Sequence, residues 1–430
     1  MKPTIIPAET EAADKQDSVP AFGKIARSLL LGQLRRIRDG RLRLIDGDFA
    51  ETFGALTEAA PFDVTIRVRD PRFYSDVVFA GTLGSGEAYM HGYWHCDDLT
   101  GLVRLMVINR HLMNDVDSGW SRVSAPLRSL AHRLNRNDKT GSRRNVAAHY
   151  DVGNRFFELF LDETMAYSCG IFTTPSASLL QASTAKFDAA CTKLDLKPGQ
   201  HLLEIGTGWG GLAIHAARNF GCRVTTTTIS REQYEYSKER VARAGLSDRI
   251  TLLLEDYRDL HGEFDALVSI EMVEAVGHQY LETYFRRCSG LLRPSGAMLL
   301  QAITIRDQFY EQARRSVDFI KRFIFPGSFI PSVQVLVDAL ARATDLKLFH
   351  MEDIGPHYAR TLKLWRERFL ARQADVRALG YPDRFVRMWE FYLCYCEGGF
   401  EERQLGDVQM LLTKPRSRRA AIGTVHAPAA

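Results

Sequence analysis

Leu202-Leu-Glu-Ile-Gly206-Thr-Gly208-Trp-Gly210-Gly211 is the stretch whose reading decides the fold. A short apolar strand, His201 to Ile205, runs into glycines that let the backbone turn sharply and come close to a ligand. A helix, Gly210 to Asn219, then opens with its N-terminal N–H groups facing that ligand. Taken as G-x-G-x-x-G (Gly206, Gly208, Gly211), the loop fits a dinucleotide. That use calls for an acid about 20 residues on, at the end of the next strand, to hold a ribose hydroxyl. The next strand, Arg223 to Ile229, ends in Thr226-Thr-Thr-Ile-Ser, and the first acid is Glu232. An NAD site therefore lacks its expected partner.

Outward from the loop, strand and helix alternate. Arg231 to Ala244 and Gln279 to Leu292 read as helices, and Ile250 to Leu254, Ala266 to Ile270 and Ala297 to Ile303 as strands. This alternation predicts α/β architecture, a doubly wound Rossmann-like parallel sheet with helices on both faces. After Ile305 a helical insertion is broken at Pro326 and Pro331. A long helical pair, Ala359 to Glu401, and a closing strand, Val408 to Thr413, follow. Before the sheet, a smaller N-terminal α/β domain is expected: a basic helix at Ala26 to Arg38, an alternating strand at Phe62 to Arg69 and a glycine-rich turn at Gly81 to Gly86. The expected divisions are a disordered 1–20, an N-terminal lipid-associated domain at 21–134, a linker at 135–144, the sheet domain at 145–413 and a basic tail at 414–430.

The chain has 430 residues, 45% of them apolar and 25% charged, which suits folded domains with ample core. No apolar run approaches the ~18 residues needed to cross a bilayer. Seven scattered cysteines give no metal or disulfide framework, so no metal is expected. The net charge of +4 hides clusters. Lys24 to Arg43 and Arg122 to Arg144 each hold seven Lys/Arg against one Asp, and the tail adds Lys414, Arg416, Arg418 and Arg419. Such clusters attract polyanions, either nucleic acid or an anionic membrane. In the second, Trp120, Val123, Leu127, Leu130 and Leu134 share one helical face, which suits a membrane interface or packing within the domain. The expected location is cytoplasmic, peripheral to the inner face of the membrane.

With these stretches in place, Glu204-x-Gly206-x-Gly208-x-Gly210 resembles the first motif of class I S-adenosylmethionine-dependent methyltransferases. More specifically, the chain resembles the cyclopropane-fatty-acyl-phospholipid synthase family, which includes the mycolic acid cyclopropane synthases. The resemblance rests on His149-Tyr-Asp-Val-Gly-Asn154, Met165-Ala-Tyr-Ser-Cys169, Leu203 to Gly211, Thr228-Ile-Ser-Arg-Glu-Gln233, Asp256-Tyr-Arg-Asp259, Glu271-Met-Val-Glu-Ala-Val-Gly277, Phe323-Ile-Phe-Pro326 and Tyr358. These stretches stand in the family's order, and Gly84 to Asp98 is similar to the N-terminal domain of its phospholipid-acting members.

The resemblance implies a cofactor, S-adenosyl-L-methionine, held by Tyr167, Ser168, Glu204, Gly206, Gly208, Gly210, Thr228, Ile229, Gln233, Asp256 and Tyr257. Thr228 and Gln233 would stand in for the missing ribose carboxylate. Asp256 would accept from the adenine amino group unless it merely caps a helix. His149 and Tyr150 would face substrate. A bicarbonate ion is implied as base, held near Cys169, Glu274, Gln301, Ile303 and Tyr358, with Glu274 orienting it. Gln301 stands where the family commonly has His; it can donate a hydrogen bond but cannot carry a proton. The implied reaction adds a methylene from the cofactor to a cis double bond of an unsaturated phospholipid acyl chain, through a carbocation, in an anionic membrane surface. A methyl or methylene branch without ring closure is the near alternative. An RNA methyltransferase and a non-catalytic lipid-binding protein are the rivals of other classes. No nucleic-acid partner is expected, and the family allows a homodimer.

Overall fold

The computed structural model describes residues 21–110 and 152–422. The expected disorder of 1–20, the Trp120 to Leu134 helix, the 135–144 linker, and His149 and Tyr150 lie outside the described residues. Contacts divide the chain into two units that do not follow its order. The first joins 21–110 to Ser316–Ile324 and Phe369–Glu402, two segments that the sequence reading placed in the sheet domain.

In the first unit, β1 (Gly40–Asp46), β2 (Phe49–Ala55), β3 (Asp63–Val68) and β4 (Trp94–Cys96) form a sheet in the order β2-β1-β3-β4. The predicted alternation holds on β3, where Val64 and Ile66 are buried. The glycine-rich turn does not. Gly81 to Gly86 lies within helix Arg72–Met90, which kinks at Gly81 (φ 60°). Here the glycines serve close packing rather than a turn. A Cβ on Gly86 would stand 2.3 Å from the Phe319 ring and 3.1 Å from that of Phe391.

The second unit carries the sheet that the glycine loop announced. Its strands are β5 (His201–Ile205), β6 (Arg223–Thr227), β7 (Ile250–Leu253), β8 (Phe264–Ile270), β9 (Leu292–Ile305), β10 (Lys347–Asp353) and β11 (Leu405–Thr413). They lie in the order β10-β11-β9-β8-β5-β6-β7. β9 to β7 run parallel, whereas β11 runs antiparallel to both its neighbours. β10, an edge strand, was not read from the sequence, because Lys347, Glu352 and Asp353 put charge at both ends of a short stretch. Apolar layers cover both faces of the sheet, as expected for strands read as continuous apolar runs. Chain order reverses beside β5, so the crevice beyond its carboxyl end is where a ligand binds in such sheets.

Part of the basic tail is used within the molecule. Lys414 pairs with Asp345 at 2.6 Å, and Arg419 donates to the carbonyls of Lys193 and Leu194, closing the C-terminal end of helix Leu179–Lys193.

Gly86→Ala is expected to lower the unfolding free energy by roughly 1–3 kcal/mol, the ordinary cost of overpacking. Urea unfolding measures this; an unchanged midpoint would mean that Phe319 moves aside without loss.

Candidate active site

Beyond the carboxyl ends of β5, β6 and β8 lies a cavity of about 190 Å³. Ten of the residues expected to hold a cofactor line it: Tyr167, Ser168, Glu204, Gly206, Gly208, Thr228, Ile229, Gln233, Asp256 and Tyr257. Gly210 is not on its wall. It caps helix Gly211–Asn219 in the left-handed region (φ 82°), where a Cβ would meet Ser237 at 3.3 Å. Gly206 (φ 105°) turns the chain off β5 at a conformation that other residues rarely adopt.

The polar wall is internally tied. Glu204 is buried, and burial pushes its carboxyl up to about 8, although the Thr226 hydroxyl donates to it at 2.6 Å. Thr228 donates to the Gln233 side-chain oxygen at 2.9 Å. This leaves the Gln233 amide nitrogen as the end that can donate to a ligand hydroxyl. Asp256 is held by Arg258, whose Nε and Nη2 donate to its two oxygens at 2.7 Å each. It is no bare acceptor, and it can receive a ligand N–H only through its remaining lone pairs.

Next to this wall the groups expected to surround a base converge, but on a residue that the sequence reading left without a role. Glu271 follows directly on β8 with φ 47°, unusual for a residue other than glycine. Its N–H donates to the Gln301 carbonyl at 2.9 Å. Its carboxylate accepts from the Cys169 N–H at 2.9 Å, from Gln301 Nε2 at 2.8 Å and from the Tyr358 hydroxyl at 2.6 Å. Glu271 lines the cavity. Glu274 is half-buried, and the lining of that cavity does not include it. One of its carboxyl oxygens accepts from the Ile303 N–H at 2.6 Å, while the other has no partner in the buried interior. Burial and the charge of Glu271 push its carboxyl up to about 8. Cys169 is buried, and that burial, with Asp407 and Glu271 beside it, raises its thiol far above the ordinary range. It is therefore no thiolate nucleophile.

Register explains how Gln301 is aimed. Gln301 on β9 is the pairing partner of Gln409 on β11, which in turn pairs with Glu352 on β10. Lys193 donates to Glu352 and, at 2.6 Å, to the Gln409 side-chain oxygen. The Gln409 amide nitrogen then donates to the Gln301 side-chain oxygen at 2.9 Å, and the Gln301 nitrogen reaches Glu271 and, at 3.0 Å, Asp407. A lysine has only donors, so Lys193 fixes both amide orientations in turn. Asp407, buried beside Glu271 and Glu274, has its carboxyl pushed well above the ordinary range, by burial first and by those two acids next. Lys186, also fully buried, donates to Ser168 at 2.5 Å and lines the cavity; burial lowers its ammonium from the ordinary lysine range. The sequence reading missed Glu271, Lys186, Lys193, Asp407 and Gln409. A usable signal existed for Glu271, an acid just past the carboxyl end of a central strand.

Comparison with known proteins gives a consistent answer. The family model described as mycolic acid cyclopropane synthetase matches residues 137–410. A tuberculostearic acid methyltransferase of Mycobacterium tuberculosis is 38% identical over 94% of this chain and 97% of its own length. The cyclopropane-fatty-acyl-phospholipid synthase of Escherichia coli is 37% identical over 84% of this chain and 90% of its own. Among solved structures, a mycolic acid cyclopropane synthase complexed with SAH and CTAB superposes with a TM-score of 0.60 at 31% identity. That match covers 63% of this chain and 98% of the other.

The acid cluster makes stability depend on pH. A carboxyl raised from 4.5 to about 8 on folding binds its proton more tightly in the native state. Its contribution is thus present below pH 4.5 and lost as pH rises toward 8, by at most about 1.4 kcal/mol per pH unit. Melting temperatures taken from pH 5 to 8 should fall less steeply for Glu274→Gln than for the wild type. Parallel curves would show that Glu274 ionises normally in the fold.

Proposed function

The chain belongs to the mycolic acid cyclopropane synthetase family of S-adenosylmethionine-dependent lipid methyltransferases, and from that premise we propose that it methylenates the cis double bond of unsaturated phospholipid acyl chains. The observation that carries the reading is the adjacency of two features: an aromatic-walled cavity at the switch point of the sheet and a fixed carboxylate on its rim. The residues present suit the cofactor. Left-handed glycines permit a close approach, the Gln233 amide offers a donor for a ribose hydroxyl, and Tyr257 and Asp256 close the side where an adenine would lie. When bound, S-adenosylmethionine supplies an electrophilic methyl group for a weak nucleophile such as an alkene.

The side chains account for what such a reaction needs beyond that methyl. Tyr167 sits among aromatic rings, with centroids 5.3 Å from Phe157, 5.2 Å from Trp365 and 6.4 Å from Phe325. Their faces stabilise positive charge on an acyl chain while keeping water out. Loss of a proton from the added methyl closes a three-membered ring; loss of a proton without closure leaves a methylene branch. The similarity to a tuberculostearic acid methyltransferase makes that second outcome the alternative to ring closure. A bicarbonate base, implied by the sequence resemblance, would compete with Glu271 for Gln301 and Tyr358.

We propose that the enzyme works at an anionic membrane face. Helix Ala21–Leu34 supports this, because it exposes the apolar side chains of Ile25 and Leu29 one turn apart. Among the described residues no helix is long and apolar enough to cross a membrane.

Mass spectrometry of monounsaturated phospholipid vesicles incubated with enzyme and S-adenosylmethionine should show a gain of one CH2 per chain that mild alkene hydrogenation leaves unaltered. A gain that hydrogenation does alter means the branched product, and no gain with cofactor bound would refute an acyl acceptor. Binding to phosphatidylglycerol vesicles should weaken at least tenfold between 50 and 500 mM salt, about the loss expected of a few screened charges; salt-independent binding would exclude docking by the basic segments.

A further inference from the structure

We propose that Glu271 is the catalytic base, so that the enzyme carries within its own chain the carboxylate that removes the proton from the methylated substrate, and needs no bicarbonate. The inference rests on the reading above and names the group that completes it.

Four carboxyl side chains stand on the cavity wall: Glu204, Glu255, Asp256 and Glu271. Glu204 is held protonated by burial at neutral pH, and Asp256 is spanned by Arg258. Glu255 follows β7, the edge strand of the sheet, which β5 and β6 separate from β8 and Glu271. Glu271 alone joins the cavity to the group of donors at its rim. Three donors from separate parts of the chain fix its carboxylate: the Cys169 N–H, Gln301 on β9 and Tyr358 on helix Gly355–Ala371. Tyr358 also reaches the aromatic cluster, its ring centroid 6.1 Å from that of Trp365. The carboxylate is therefore attached to the wall where charge on an acyl chain would be stabilised.

The fixation is built at a cost. Glu271 holds a left-handed backbone, which disfavours a side chain by about 1 kcal/mol or more. Asp407 lies against the same amide, its carboxyl pushed well up by burial and by Glu271. Gln301 cannot turn its carbonyl toward the two acids, because Lys193 and Gln409 hold its oxygen on the other side. Where a bicarbonate would need Gln301 and Tyr358 as donors, Glu271 already engages both.

The step balances without an added reactant. A C–H bond of the newly attached methyl breaks, and its proton forms an O–H bond on the Glu271 carboxylate. The C–H electron pair forms the third side of the ring by adding to the cationic carbon. The carboxylate becomes a neutral acid and returns its proton to solvent between turnovers.

The test uses the full-length enzyme and carbonate-free buffer. Wild-type product formation on monounsaturated phospholipid vesicles should stay within twofold when 20 mM bicarbonate is added. Glu271→Gly should lose at least about 100-fold, the usual share of a general base, and bicarbonate should restore at least a tenth of the loss where chloride does not. A second readout needs no turnover. Bicarbonate should raise the melting temperature of cofactor-free Glu271→Gly and leave that of the wild type unmoved, while S-adenosylhomocysteine affinity stays within about threefold. A wild type that is inactive until bicarbonate is added, or that is itself stabilised by it, overturns the proposal but leaves the acyl reaction standing. Full activity in Glu271→Gly, or a loss of S-adenosylhomocysteine binding equal to the loss of rate, overturns it as well. If Glu271→Gly does not fold, the two wild-type measurements decide alone. A wild type that forms no lipid product under either condition refutes the proposed reaction instead.

Discussion

The rest of the site depends on one constraint: a carboxylate must be held still at the edge of an apolar cavity. Glu271 meets it through donors that reach it from separate parts of the fold. The mixed strand order makes this possible. β11 runs antiparallel beside β9 and brings Gln409 and Asp407 up to Gln301, while parallel β8 delivers Glu271 at its carboxyl end. Without that antiparallel pair no polar row would cross the sheet, and Gln301 would be free to turn its oxygen toward the acids.

The energetics of this row are those of a small buried network, where every unmet partner is costly. Most of its atoms are paired in sequence from Lys193 inward. The exceptions are one oxygen each of Glu274 and Asp407. Burial drives both carboxyls toward their neutral forms, so the cluster holds several acids without several charges. Lys186 supplies the nearby cation, and its contact with Ser168 ties the cluster to the cofactor side of the cavity.

Much of the fold was legible in the sequence. Leu202 to Gly211 announces a strand, a turn and a helix, and the β-branched and apolar runs of β6 and β8 read correctly because both faces of those strands are buried. Gly81 to Gly86 misled because glycine serves both turns and close helix packing, and only the position of Phe319, more than 200 residues away, distinguishes the two uses. The cofactor wall was legible through local motifs. The acid cluster was only half so: Cys169, Gln301 and Tyr358 were picked out, but the group they converge on was not. Glu271 and Glu274 differ by three residues in one motif, and only the place of Glu271 directly after β8 marks it as the one that faces the cavity. Gln409 and Lys193 carry no motif at all; strand register alone makes them part of the site.

The most direct measurement is a crystal structure of the enzyme with S-adenosylhomocysteine, grown in bicarbonate. The account predicts the Glu271 carboxylate within hydrogen-bond distance of the Cys169 N–H, Gln301 and Tyr358, with no separate anion among them. A planar three-oxygen anion seated on Gln301 and Tyr358, with Glu271 turned away, would contradict it.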